Sequence, residues 1–389
     1  MAVRLLAAHG VDLARRIDAV CAFALVALAV ALTSNAWREG PSQWKPDALF
    51  YQAQLLEVRG AGRAVALDQV FRGPLAAPRR AGEASEPPAE RKVDNPGWVD
   101  YSSRFYRRRW VVPVLGASIA PLFGNRALAV VSLAGYALAG PALYLLLRRR
   151  FAPFASLAAA AAALALPAFG RWASQPLSDS FNVLVETLAL VCAALVLDRG
   201  RRWLPLWVVS VAVLAFTKDT AIVLCVAAAW LALARRSWLT AALAATGVLA
   251  ALPPLLVFGA PLRETMAYTF NGFRPPAHAT WGFVAGHYSP SLKSLVENDL
   301  TYALDHPGTA LLAIVGLVAL LAPRTGAPDA FWSLLRAGAL ASFGLLALLP
   351  NYTGFRLELV FVPFVAAGLA RAAEALAAKV RGRPPVRTW

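Results

Sequence analysis

Asp179, Asn182 and Glu186 are spaced i, i+3 and i+7, so two acids and an amide share one face of a helix within an otherwise apolar run. Ionisable groups inside or at the rim of such runs are costly, and they usually face a cavity or a partner. Two further pairs sit at the ends of apolar runs: Lys218-Asp219 in FTKDTA, and Arg356 with Glu358 in NYTGFRLELVFVP. Lys218 and Arg356 could converge on an anionic group such as a phosphate, because ammonium and guanidinium groups make strong charge-assisted hydrogen bonds to its oxygens. Asp179 and Asp219 belong to the same candidate site. A plainer reading stays open for each. The acids can form a polar stripe between packed helices, with Glu186 meeting a structural partner; the cations can snorkel, and Asp219 can cap a helix start.

A second group lies nearer the amino terminus. In WKPDALFYQAQLLEVRG, Pro46 and Asp47 read as a helix entrance, and Leu49, Phe50, Ala53, Leu56 and Glu57 give an amphipathic helix fit to lie on a membrane. Asp47 is then held at the interface, and periodicity alone reads it as a first-turn acid favoured by the helix dipole. Tyr51 lies one turn on, on the same helix face. Asp100 and Arg104, in NPGWVDYSSRFYRRRW, set an acid and a cation among aromatic rings, which suits either sugar or headgroup contact or an interfacial aromatic belt.

The elements that must position these groups are membrane helices. The 389 residues are 59% hydrophobic and 15% charged, with a mean hydropathy of +0.55, a balance foreign to soluble domains. A span needs roughly 20 apolar residues to cross about 30 Å of hydrocarbon. About ten runs qualify: residues 18–34, 127–147, 151–169, 181–197, 203–216, 220–234, 238–258, 309–322, 331–349 and 357–376. The first reads as a retained signal anchor. Two polar segments, 35–126 and 259–307, stand between them, the former holding a Pro/Arg/Glu-rich flexible loop at 73–96. The formal charge of +16 concentrates in short connections, at Arg148-Arg149-Arg150, Arg199 with Arg201 and Arg202, Arg235-Arg236, Arg324, and the tail with Lys379, Arg381, Arg383 and Arg387. Placing all of these in the cytoplasm, as the positive-inside rule directs, requires Trp110–Gly124 to lie at the outer surface rather than to cross. Both polar segments then face outward, and both termini are cytoplasmic.

Other chemistries find little support. The basic excess is explained by membrane topology, so nucleic acid is not an expected partner. Cys21, Cys192 and Cys225 all lie in apolar runs without CxxC spacing, and His9, His278, His287 and His306 lack metal spacing, so neither a disulfide framework nor a metal site is expected. No nucleotide-binding glycine loop is present, and the sequon Asn351-Tyr352-Thr353 lies too close to a span to be read as a glycosylation site.

Taken together, these segments resemble the GT-C superfamily of integral-membrane glycosyltransferases, in arrangement rather than by a strict motif, over most of the chain. PDALFYQAQLLEVRG is similar to the family's acidic residue and juxtamembrane helix after the first span, with Asp47 in the acidic position. FYRRRWVVPVLGASIAPLFGNRALAVV and LYLLLRRRF look like the segment that follows. Ser178-Asp179, FTKDTA, and the stretch from Arg356 to Pro363 are family-like as well. The chain departs from several subfamilies in lacking a paired Asp-Glu after the first span, which leaves Asp100 as an alternative to Asp47.

The resemblance implies a single all-α bundle in the cell membrane, 1–389, with its active site on the extracytoplasmic side, and the Ala/Arg-rich composition suggests a GC-rich bacterial source. It implies transfer of a monosaccharide, hexose or pentose, from a polyprenyl-phosphate carrier to a lipid, glycan or protein acceptor. Asp47 would act as general base, with Tyr51, Asp100, Arg104, Asp179, Lys218, Asp219 and Arg356 binding substrate and the Arg107–Arg109 run in reserve. No cofactor beyond the donor lipid is implied. The acceptor would be read by the two outer segments. The chief alternative is a transporter or flippase for a lipid-linked or anionic substrate, which would also use buried charges but usually shows paired halves and short loops on both faces. A noncatalytic scaffold would not need acids and cations spread over separate spans, and an acyl- or phosphotransferase on a similar bundle stays open.

Overall fold

The computed structural model describes residues 2–39, 45–73, 92–323, 329–350 and 355–380, and every element among them is helical. Residues 74–91 of the expected loop at 73–96, together with Arg324, the sequon and Arg381, Arg383 and Arg387, lie outside the described residues, while Lys92–Asp94 form a 3₁₀ turn before a helix that begins at Pro96. Helices α1 (Ala2–Leu32) and α2 (Ser34–Glu39) precede α3 (Pro46–Val58), α4 (Arg63–Phe71) and α5 (Pro96–Ser103). Then come α6 (Val111–Phe123), α7 (Ala127–Arg148), α8 (Pro153–Leu164), α9 (Pro167–Ala173), α10 (Asp179–Arg199), α11 (Leu204–Thr217), α12 (Ala221–Arg235) and α13 (Trp238–Val257). The remainder holds α14 (Leu262–Phe270), α15 (Trp281–Asp305), α16 (Pro307–Leu321), α17 (Ala330–Leu348) and α18 (Val362–Val380), the last entered through a 3₁₀ turn, Glu358–Phe361.

All ten apolar runs fall on helices, but a count of ten spans is not established. Among the described residues, five helical segments are long and apolar enough to cross a bilayer, or up to seven if each of two bent pairs, α8 with α9 (63°) and α15 with α16 (112°), counts as one. Helix α11 has 14 residues and α12 has 15, lengths of about 21–23 Å at 1.5 Å per residue, short of the full hydrocarbon thickness. The polar segment 259–307, read from sequence as a loop, is largely the two helices α14 and α15.

Helix α6 does not continue straight into α7. Residues 12 apart on one straight helix are about 18 Å apart, yet the Leu128 side chain lies within van der Waals reach of Gly116. The reversal occurs at Gly124, whose φ of 54° is left-handed, a conformation that suits glycine. Folded back, α6 packs on both α7 and α3. Helix α3 forms from its expected Pro46 start, but it is no one-faced surface helix: the eight residues from Ala48 to Leu55 are all buried.

Small residues set the close approaches that hold the bundle. A Cβ at Gly135 of α7 would come within 2.7 Å of the Phe181 backbone, and beside it the Ser180 hydroxyl donates to the Ser132 carbonyl at 2.6 Å. This crossing fixes the start of α10, where Asp179 sits. Gly368 of α18 lies against the Gly316 carbonyl of α16 so tightly that any Cβ would overlap it, the small-on-small packing favoured between helices where no hydrophobic force joins them. Gly368→Ala should therefore cost about 1–3 kcal/mol by overpacking. The expected readout is a lowered Tm in detergent, and an unchanged Tm would mean that these helices separate freely.

The far end of the bundle is basic. Arg149 and Arg150, just beyond α7, reach Asp198 of α10 at 2.5 and 2.7 Å, and Arg150 also reaches Asp329 at the start of α17 at 2.8 Å. Asp198 and Asp179 stand at opposite ends of α10, about 28 Å apart along its axis by helix rise.

Candidate functional site

Four helix ends bring the charges together. Asp47 is in the first turn of α3, just after Pro46, and Asp179 opens α10; both positions place a carboxylate at the positive end of a helix dipole. Lys218 is the extended residue that ends α11, Asp219 follows it, and Arg356 lies just before the 3₁₀ turn into α18.

Arg356 bridges two of the acids. One of its terminal amines pairs with Asp47, while its Nε donates to Asp179 Oδ2 at 2.7 Å. Lys218 Nζ holds the other oxygen of Asp179 at 2.5 Å. The Asp179 side chain is fully buried, and those of Arg356 and Asp47 keep 14% and 23% of their surface, so the network opens on the Asp47 side. Arg108 and Arg109 both pair with Asp219, Arg109 at 3.3 Å. Among the described residues, these ion pairs set four cations against three carboxylates. The Arg356 guanidinium also lies 5.6 Å from the Trp172 ring centre.

An aromatic frame sets the geometry of Asp47. The Tyr106 hydroxyl donates to Asp47 Oδ1, and the Tyr106 ring is stacked on Phe50 at 4.6 Å and meets Tyr51 edge-on at 5.8 Å. Buried Gln54 donates to the Tyr106 carbonyl at 2.6 Å, tying the segment to α3. Burial by itself would raise the pKa of Asp47, but the Arg356 charge, the Tyr106 hydrogen bond and Arg109 outweigh it and hold the carboxyl below its ordinary value. Burial, then the neighbouring Asp47, pushes the Tyr106 phenol well up, so it stays a donor. Lys218 is drawn down by burial against the opposing pull of Asp179. Arg356 is held well above its ordinary value, because Asp179 and Asp47 overcome its burial.

The residues singled out from the sequence thus divide. Asp47, Asp179, Lys218 and Arg356 meet in one network, with Asp219 tied to it through Arg109. Tyr51 is fully buried and shares a 2.8 Å hydrogen bond with Ser178, so it positions neighbours rather than lining an open pocket. Asp100 is on the exposed face of α5, while Trp98, Val99, Ser102 and Ser103 turn inward. Arg104 pairs with Glu264 at 3.6 Å over the Tyr101 ring, apart from the network. Glu186 was expected to have a structural partner. Its carboxyl is wholly buried, and neither oxygen has a hydrogen-bond partner among the described residues. Tyr106 was missed; its place in FYRRRW, directly before the arginines, is the only signal the sequence offers.

In chemical terms, a partly buried carboxylate among paired cations can accept a proton and can lie beside an anionic group. Residues 111–259 match the family model of dolichyl-phosphate-mannose-protein mannosyltransferases, a GT-C-type glycosyltransferase family. The resemblance read from the residues is therefore found by an independent comparison, and it indicates a membrane glycosyltransferase. The matched stretch holds Asp179, Lys218 and Asp219, while Asp47, Tyr106, Arg108, Arg109 and Arg356 come from outside it. No curated protein matches the chain significantly.

Proposed function

We propose that this chain transfers a monosaccharide from a polyprenyl-phosphate carrier to an acceptor hydroxyl on the extracytoplasmic side of the cell membrane, with Asp47 as general base. The observation that carries the reading is the Arg356 bridge: one guanidinium pairs at once with partly exposed Asp47 and with buried Asp179. The oxygen of the acceptor hydroxyl bonds to the anomeric carbon of the sugar as Asp47 takes its proton. The bond from that carbon to the phosphate oxygen breaks, and polyprenyl phosphate leaves with the electron pair. Arg356, Lys218 and Arg109 are preorganised for the charge that develops there.

Donor binding also prepares the base. An incoming phosphate competes with Asp47 for Arg356, and a carboxylate that loses a cationic partner becomes more basic. The basic ends of α7 and α10, about 28 Å from Asp179 by helix rise, support a cytoplasmic far face and an outward site. The mostly helical 259–307 segment and the α3–α6 region are the natural acceptor surfaces.

The sign of the pH dependence follows. In the free enzyme Asp47 sits below its ordinary 3.8, so the acid limb of kcat/KM, which reports free enzyme, should fall below that value. With donor bound and Arg356 engaged, the pKa rises, and the acid limb of kcat should lie at higher pH than that of kcat/KM. The reverse order would remove Arg356 as the phosphate contact. The direct test is incubation of purified protein with radiolabelled polyprenyl-phosphate sugars and an acceptor extract. Binding without transfer across a broad acceptor panel would favour a transporter instead.

A further inference from the structure

Two residues past Arg356, Glu358 presents a problem of its own. It is 9% exposed, and its two buried carboxyl oxygens have no side-chain hydrogen-bond partner among the described residues, only the local backbone of Leu357 and Glu358 acting on them. The charges that act on it come from two sides, Asp299 of α15 repelling and Lys218 attracting. Asp299 is itself half-buried, with Oδ1 unpartnered. Arg356 Nη2, a donor, is likewise buried and unpartnered. A spare donor and spare acceptors two residues apart do not satisfy each other, although leaving buried polar groups unpaired is expensive. A ligand carrying acceptors at one end and donors at the other would satisfy both, and a sugar phosphate is such a ligand.

Resting on the glycosyltransferase reading above, we propose that Glu358, with Asp299 beside it, is the sugar-reading half of the site: these carboxyls accept the ring hydroxyls of a neutral monosaccharide whose phosphate is held by Arg356. Their burial disfavours a uronic acid at the same place, because a further carboxylate would lose its water among acids rather than cations. The phosphate contact is common to every carrier, whereas the carboxyl pair discriminates what the carrier bears.

The test is a binding titration of the full detergent-solubilised chain with polyprenyl phosphate alone, with polyprenyl-phosphate hexose and with its uronate counterpart, comparing wild type with Glu358→Gln. Wild type should bind the hexose carrier about tenfold or more tighter than the bare phosphate, as expected of a site built to meet hydroxyls, and should gain nothing from the uronate. Glu358→Gln should erase most of the hexose gain, leave bare phosphate binding unchanged, and hold or raise Tm, because it removes an unsatisfied buried carboxyl. If bare phosphate binds but hexose adds nothing in wild type, or if Glu358→Gln keeps the full gain, this inference is overturned while the donor reading stands. A lowered Tm with equal losses for both ligands would make Glu358 merely structural. Failure of wild type to bind any of the three carriers overturns the donor reading along with this inference.

Discussion

Asp47→Asn is expected to lose transfer by about 10²–10⁴-fold, the range typical of a removed general base, while expression and donor binding persist. The substitution is nearly isosteric: the amide oxygen can still accept from Arg356, while the amide nitrogen can donate to the Tyr106 hydroxyl, the two groups that hold the Asp47 carboxylate from its two oxygens. The change therefore removes basicity without emptying the site. Asp100→Asn is the matched control: Asp100 is exposed and its backbone, not its carboxyl, is what Ser103 bonds. Its turnover should stay near wild type. The readout is transfer from a polyprenyl-phosphate sugar, with donor affinity measured separately, since a loss in kcat at constant binding marks an interaction made in the transition state. Near-normal turnover in Asp47→Asn together with loss in Asp100→Asn would move the base to α5.

The pattern of these residues shows what a sequence can and cannot disclose about such a site. Asp179, Lys218 and Arg356 were legible because each breaks an apolar run near its end, and helix ends at one face of a bundle necessarily come near each other. Asp47, behind Pro46, reads from periodicity alone as a first-turn acid, and only the family resemblance singles it out. Its partner Tyr106 was not legible, because 59 residues separate them and only the stacking of Phe50 and the reach of Gln54 bring the phenol to the carboxylate. The pairing of Arg108 and Arg109 with Asp219 is of the same kind, a tertiary contact without local signal. Helices α14 and α15 were hidden for another reason. They lack apolar runs, most of α15 stays exposed, and what marks its start is local capping, with the Thr280 hydroxyl accepting from the Phe283 amide at 3.1 Å. Helix α3 shows the opposite failure. An apolar periodicity fit for a membrane surface cannot reveal that neighbours cover the polar side as well, burying Gln52 and Gln54.

Arg356→Ala should combine a loss of donor binding with a loss of stability, and the two can be separated by Arg356→Lys. Removing the guanidinium strips Asp47 of its ion pair and leaves buried Asp179 with Lys218 alone. Truncating one partner of a buried, hydrogen-bonded charge pair typically costs about 3–5 kcal/mol, so the alanine variant should show a clearly lowered Tm and no measurable affinity for polyprenyl phosphate. Lysine restores the charge but not the fork: an ammonium is a point donor, and it cannot span Asp47 and Asp179 in the plane that Nε and the terminal amines share. Arg356→Lys should thus recover much of the Tm while donor binding stays about tenfold or more below wild type, as for other bidentate sites given a point charge. The Asp47→Asn/Arg356→Ala double variant should be less destabilised than the sum of the singles by about 0.5–3 kcal/mol, the coupling expected of residues in direct contact. If Arg356→Lys binds donor as tightly as wild type, the cation acts only as charge, and the two-armed bridge between the base and the buried acid has no part in seating the phosphate.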